Sequence, residues 1–381
     1  MKINAQGTLA FGRPATERAF LTFPALAILH DGSALATCRA GRGKDGPEEH
    51  LLMFRARAGT DDWQPVSALP PAPRIDGHSG SLKCAYLTET APGRVIAVAL
   101  WVERDTFPGC PLFNPETEGC LPMSILIADS RDSGHSFGDW RRVPISLGGD
   151  VPGLTSPILC LPGGELLLGI ETNKPYRDSG PWRQRALHLR STDGGTTWSA
   201  PETAADDENM RHFNWDLRLA VWPDGTLASF AWTFDRHDGV WRDIHRRIRR
   251  GDGWSQPQPM GIGDQPGVPA VLTDGRILLP WVDRFGSATI RAAIGDGPDA
   301  RLDSAGSCVL HQQAGSRTHA PETAALLTEM DRWAFGLPFA TAVPDGTALV
   351  LHYAGTPDAT DIVWTRIDPG PAMPPPERTP G

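Results

Sequence analysis

One pattern recurs six times along this chain and limits its fold more than any other feature. An apolar strand runs into a glycine-centred turn, a second apolar strand returns, and a polar or charged cluster follows. The first copy reads Phe23 to Leu29, turn Asp31-Gly32, strand Ala34 to Cys38, then Arg39, Arg42, Lys44 and Asp45. The second turns at Pro92-Gly93 and ends in Glu103-Arg104-Asp105; the third turns at Gly163-Gly164 and ends in Glu171, Asn173 and Tyr176. The last three turn at Asp224-Gly225, Asp274-Gly275 and Asp345-Gly346, and end in Asp235-Arg236, Asp283-Arg284 and His352-Tyr353. Glycine tolerates positive φ and an aspartate side chain accepts from nearby amides, so each Asp-Gly reads as a tight turn.

A second hairpin follows each first one, as at Leu187 to Arg190 before Ser191 and Ile244 to Arg249 before Gly251. Each unit is then a four-stranded antiparallel sheet, and the turn centres lie 50 to 71 residues apart. Such a sheet cannot bury both faces alone, so the units must pack on one another. Six of them arranged radially predict an all-β, six-bladed β-propeller of four-stranded blades, in which ring closure protects the edges. The prediction is a single propeller over residues 1–367 and a Pro-rich tail over 368–381. Residues 295–330 fit the repeat least, as a loop with one extra hairpin or a short helix around Pro321 to Met330. The 41 Gly and 36 Pro suit many short strands and turns rather than long helices.

The formal charge of −9 argues against a nucleic-acid or anionic-membrane surface, and no apolar run is long enough to span a bilayer. The first residues carry one Lys and no apolar stretch before Pro14, so no signal peptide is read and a cytoplasmic location is expected. Six dispersed cysteines favour free thiols, with Cys110 and Cys120 placed so that they could close one loop. There is no compact ligand set for a catalytic metal and no dinucleotide or phosphate loop. No cofactor is expected, and a structural Ca²⁺ in a loop has no motif behind it. The oligomeric state is not readable.

Ser191-Thr192-Asp193-Gly194-Gly195-Thr196-Thr197-Trp198 and the stretched Ser130-Arg131-Asp132-Ser133-Gly134-His135-Ser136-Phe137-Gly138-Asp139-Trp140 resemble the Asp-box (BNR repeat) of the sialidase (neuraminidase) superfamily, Ser-x-Asp-x-Gly-x-x-Trp. Gly251-Asp252-Gly253-Trp254 and Thr60-Asp61-Asp62-Trp63 are degenerate echoes. The resemblance covers residues 20 to 367 and implies a six-bladed propeller. It also implies an arginine triad for a substrate carboxylate, a Tyr nucleophile assisted by a Glu, and an Asp acid/base. The family's first arginine, in Arg-Ile-Pro, is absent from the matching Thr22-Phe23-Pro24. Asp45 falls near the acid/base position, Asp216 stands where the Glu is expected, Tyr353 matches the nucleophile, and Arg236 and Arg284 stand for the remaining arginines. These departures point to a terminal acidic sugar differently shaped from sialic acid.

The residues themselves support a carbohydrate site, because carboxylates and Arg bond hydroxyls while Trp faces stack on sugar C–H surfaces. Six clusters at the ends of the second strands would converge on one rim. Asp45 is the first candidate acid, with Glu171 and Glu103 as rivals at apolar strand ends where burial raises a carboxyl pKa. Tyr353 is the candidate nucleophile, with Asp216 taking its proton. Arg39, Arg42, Arg218, Arg236 and Arg284, with Asp235, Asp283, His78, His212 and Trp215, are the candidate substrate-binding residues. Trp182 and Trp241 are further stacking candidates, whereas Trp101, Trp232 and Trp281 read mainly as plugs of blade cores. A sialidase-like glycoside hydrolase acting on a terminal acidic sugar of a small glycan is the leading expectation. The alternatives are a uronate-type lyase, for which His78 or Tyr353 would serve as base, and a non-catalytic glycan-binding propeller.

Overall fold

The computed structural model describes residues 1–314 and 333–372. The expected helix or hairpin around Pro321 to Met330 and most of the Pro-rich tail lie outside the described residues. Every described element is a strand, and nearly all strand pairs are antiparallel. The glycine turns form as read: Gly32 donates to Leu29 at 2.8 Å, Gly225 to Trp222 at 2.9 Å and Gly275 to Leu272 at 2.9 Å, each backbone to backbone.

The sheet count corrects the expectation of six four-stranded blades. The described strands form four discrete blades and one eight-stranded sheet. The second sheet holds Gly80–Ala91, Arg94–Glu103, Met123–Ser130 and Arg141–Arg142. The third holds Val151–Gly153, Leu159–Cys160, Leu166–Asn173, Arg185–Ser191 and Glu202–Asp206. The fourth holds His212–Val221, Leu227–Asp235, Val240–Arg250, Gly253–Trp254 and Gln258–Pro259. The fifth holds Gln265–Pro266, Ala270–Val271, Ile277–Asp283, Thr289–Gly295 and Cys308–Gln312. Each of these four is a four-stranded antiparallel path, and the third, fourth and fifth carry one further short segment beside it, so the correction falls on the number of blades. The merged sheet takes both chain ends: Phe335–Ala342, Ala348–Gly355, Thr360–Asp368 and Lys2–Ala10 join Phe20–Ile28, Ala34–Gly41, His50–Ala56 and Gln64–Val66.

The merger has a local cause. Thr360 pairs in parallel with Phe20, and its amide donates to the Ala19 carbonyl at 3.0 Å. The strand Lys2–Ala10, which hairpin counting passed over, pairs antiparallel with Thr360–Asp368. Pairing between residues more than 300 apart leaves no mark on a repeat count. Consecutive sheets pack in sequence order and the ring closes through the merged sheet. Fully buried Trp232 and Trp281 plug the interiors of the fourth and fifth sheets, as their place after apolar runs suggests. All six cysteines are free thiols, so Cys110 and Cys120 close no loop.

Candidate active site

The innermost strand of each sheet is irregular, and the irregularities build a cavity. The register breaks between Thr22 and Ala25, Leu82 and Cys84, Trp215 and Arg218, and Gly336 and Phe339. In the third and fifth sheets the inner strand is instead split in two. A bulge re-aims the side chain it displaces. Phe23, Asp216 and Leu337 take φ values of 51°, 52° and 48° at these breaks. These three, with Lys83 from the fourth break and Gln265 from a split strand, line one cavity of about 270 Å³. Asp45, Lys44 and Tyr353 complete its polar wall, and Leu112, Phe113 and Trp333 its apolar one.

Asp45 stands in a buried ionic network. Its Oδ1 accepts from Lys83 Nζ at 2.8 Å and from Arg104 Nη2 at 2.7 Å, while Oδ2 accepts the Leu112 amide at 3.0 Å. Behind it Glu49 pairs with Arg104 at 2.8 Å, with Lys83 at 3.5 Å and closely with Arg39. Burial raises the Asp45 pKa, but the charges of Lys83 and Arg104 and their hydrogen bonds outweigh it and hold the carboxyl well below the usual range. Asp45 is therefore ionised at neutral pH. Three cations face two carboxylates in this network, which leaves this wall net positive.

A second network carries Asp216 and Tyr353. Asp216 Oδ1 accepts from Arg218 at 3.1 Å and Oδ2 from Gln265 Nε2 at 2.6 Å. Gln265 Oε1 in turn accepts from Arg284 at 3.0 Å, and the Arg284 charge acts on the Tyr353 hydroxyl, favouring its ionised form. The Arg284 guanidinium lies 3.7 Å from the centre of the Trp333 ring, a cation–π contact that orients both. Burial pushes the Tyr353 phenol up to about 12 despite Arg284, so it is protonated at rest. Glu171 sits behind Asp216, and burial together with the Asp216 charge raises its carboxyl pKa.

Asp45, Asp216 and Tyr353 thus share one cavity, with Arg218, Arg284 and Glu171 directly behind its wall. The other sequence candidates do not line the cavity. Arg39 is fully buried against Glu49, and Arg42 is an exposed partner of Glu48 at 2.9 Å. Asp235 is buried between Arg211 at 2.7 Å and Arg242 at 3.0 Å, and His212 bonds Asp207 at 2.7 Å. His78 faces Glu103 at 3.3 Å, and Glu103 also accepts the Thr106 amide. Asp283 closes its own loop through the amides of Gly286 and Ser287. Arg236 lies over the Phe213 ring and reaches Glu118 at 3.4 Å. Trp215 and Trp182 are buried in an aromatic cluster with Phe213, Trp232 and Phe234; Trp333, of the same cluster, lines the cavity.

The sequence reading passed over Lys83, Gln265, Glu49, Trp333 and the segment around Leu112 and Phe113. Lys83 had a signal, since one lysine interrupts the apolar run Leu82-Lys83-Cys84-Ala85-Tyr86. A charge there must be paired or reach a cavity. Gln265 and Phe113 lie in loop-like stretches and carried none.

No protein-family model matches this chain, and no curated protein matches it. Solved structures do. A protein of unknown function from Dyadobacter fermentans superposes with a TM-score of 0.68 at 17% identity, covering 96% of this chain and 99% of that one. The intramolecular trans-sialidase of Ruminococcus gnavus, solved with oseltamivir carboxylate, gives 0.63 at 14%, covering 97% and 99%. The α-L-arabinanase of Penicillium chrysogenum, solved with arabinobiose, gives 0.66 at 12%, covering 98% and 100%. The likeness is one of fold. The sialidase resemblance read from the turns is thereby corrected to a distant likeness of propeller fold, carried here by four discrete blades and the merged sheet. Enzymes that act on different glycans share this fold, so it selects neither a substrate nor a mechanism.

Proposed function

We propose that this protein is a glycosidase-type enzyme that takes the terminal residue of a small acidic glycan into the cavity. The observation that carries the reading is the convergence of Asp45, Asp216 and Tyr353, from distant parts of the chain, on one partly apolar cavity. Its volume of about 270 Å³ is just below the ~300–1,000 Å³ usual for ligand pockets, which suits one sugar ring. The net positive wall around Lys83 and Arg104 favours an anionic ring, and Trp333 and Phe113 offer apolar faces to its C–H surface. In this reading Tyr353 is the nucleophile, Asp216 on the same cavity takes its proton, and the Arg284 charge stabilises the phenolate. Asp45, held ionised, acts as base or electrostatic partner rather than as the resting acid.

That last point favours a second reading, elimination on a uronate. A lyase needs a base, a neutralised substrate carboxylate and a proton for the leaving oxygen; in this reading ionised Asp45 is the base and the protonated Tyr353 supplies that proton. Purified protein incubated with aryl sialosides, uronides and arabinosides, and with oligouronates, separates the readings. Hydrolysis releases a reducing sugar, whereas elimination gives an unsaturated product that absorbs in the ultraviolet. Hydrolysis through Tyr353 predicts a loss of at least about 10³-fold in Y353F with folding intact. Retention of glycans without turnover overturns both readings in favour of a binding module.

A further inference from the structure

We propose that Glu171 is a positioning residue that fixes the Asp216 bulge from the neighbouring sheet. The inference rests on the reading that Asp216 belongs to the working site. Asp216 sits at φ 52°, a conformation that a residue with a side chain keeps only when its surroundings impose it. The imposing groups come from the third sheet. Across the break, Trp215 pairs with Trp232 and Arg218 with Phe230, so the Leu217 peptide between them falls outside the ladder. Its N–H donates to Glu171 Oε1 at 2.6 Å. Its carbonyl accepts from Ser156 Oγ at 2.5 Å and from Thr155 Oγ1 at 3.2 Å. Thr155 Oγ1 also lies 3.0 Å from Glu171 Oε1, which ties the two sides of the clamp together.

The clamp therefore closes on both backbone polar groups of one residue, and so on the two peptides that flank its Cα. Glu171 belongs to the strand Leu166–Asn173, where its backbone pairs with Ala186 and Gly153, and its side chain leaves that sheet to reach the next. It is buried and does not line the cavity, so it acts through Asp216 and not on a ligand. Rotation of the Leu217 peptide would swing the Asp216 carboxylate away from Arg218 and Gln265, and so break the chain to Arg284 and Tyr353. Displacements of about 1 Å at this distance are enough to cost an enzyme rate. The burial that raises the Glu171 carboxyl keeps its proton at hand, and a glutamine there presents the same accepting oxygen.

The test is amide hydrogen exchange at Leu217 in the full chain, paired with steady-state rates on whichever aryl glycoside the wild type turns over. E171L is expected to lose about 100-fold of Leu217 protection and at least about tenfold in kcat, with KM within about twofold. E171Q rescues both. Thr155→Val with Ser156→Ala keeps Glu171 and is expected to lose about tenfold of protection, which serves if E171L does not fold. Unchanged Leu217 exchange in a folded E171L, or in the double variant where E171L does not fold, overturns the inference. So does an E171Q as slow as E171L with a shifted pH profile, because the carboxyl proton itself would then be at work. If the wild type turns over no glycoside, the exchange result alone decides the clamp, and only the proposed activity fails.

Discussion

The outer turn at Ser191–Trp198 and the inner bulge at Asp216 both interrupt strands, and they are held in opposite ways. In the turn every partner is local: Gly195 donates to Ser191 Oγ at 2.8 Å, Ser191 Oγ to Asp193 Oδ1 at 2.8 Å, and Thr197 to Asp193 at 2.9 Å. Hydrogen bonds from Thr197 hold Asp193 down to about 2. The two glycines, at φ 71° and 85°, supply the backbone that the turn needs. At the bulge nearly every partner is remote: Glu171, Ser156 and Gln265 lie 46, 61 and 49 positions from the groups they bond. A turn of the first kind forms by itself and says only where a strand ends. A bulge of the second kind forms when sheets dock, and it aims a side chain into a cavity. Chemistry belongs to the second kind because reacting groups must come from separate parts of a chain.

If that contrast is right, substitutions in the remote networks should cost far more than those in local or exposed contacts. The largest expected effect is at Glu49, which is buried among Arg39, Lys83 and Arg104 and also accepts from Ser81 at 2.7 Å. Glu49→Gln leaves three buried cations facing one carboxylate and should lower stability by about 3–5 kcal/mol, read from urea unfolding midpoints. A small change there would make the network merely decorative.

Acid should act next through His352, beside Tyr353. His352 is fully buried, neither ring nitrogen has a hydrogen-bond partner among the described residues, and its ring centre lies 5.8 Å from that of His311. Burial, with His311 adding to it, lowers its pKa to about 3. Its neutral form is thus favoured in the fold. That stability is complete above the ordinary histidine value near 6.5 and is lost as pH falls from there toward about 3. His352→Leu should flatten this acid limb, recovering roughly a few kcal/mol at pH 4 relative to wild type when each is referred to its own pH 7 value. Unfolding curves at the two pH values check it, and parallel slopes would contradict it.

Ser191→Ala removes one buried local acceptor and should cost only about 1 kcal/mol. Arg42→Ala, at an ion pair whose side chains are 63% and 67% exposed, should stay within ~0.5 kcal/mol. Thermal melts resolve both. A penalty at Arg42 comparable to that at Glu49 would erase the distinction between the two kinds of contact.

The parts of the site that were legible in the sequence follow the same division. Asp45 and Tyr353 stand in the polar clusters that end apolar strands, and the family resemblance, which alone supplied Asp216, singled all three out. The arginines could not be sorted that way. Arg39 and Arg284 look alike in sequence, yet one is neutralised by Glu49 and the other lies between Gln265, Tyr353 and the Trp333 ring. Their partners are remote, so spacing says nothing of them. The tryptophans divide similarly: Trp215 is drawn into a cluster whose buried members come from two strands and two loops.

The sequence alone determined the paired strands of the repeat, the Asp-Gly turns and the all-β class, because apolar alternation and turn chemistry act over a few residues. Only the tertiary structure decided that the chain ends merge into one eight-stranded sheet. It alone decided which carboxylates reach the cavity, which arginines stand behind its wall, and that Asp45 is held ionised. Sheet pairing, burial and charge are set by neighbours that docking brings together, whatever their separation along the chain.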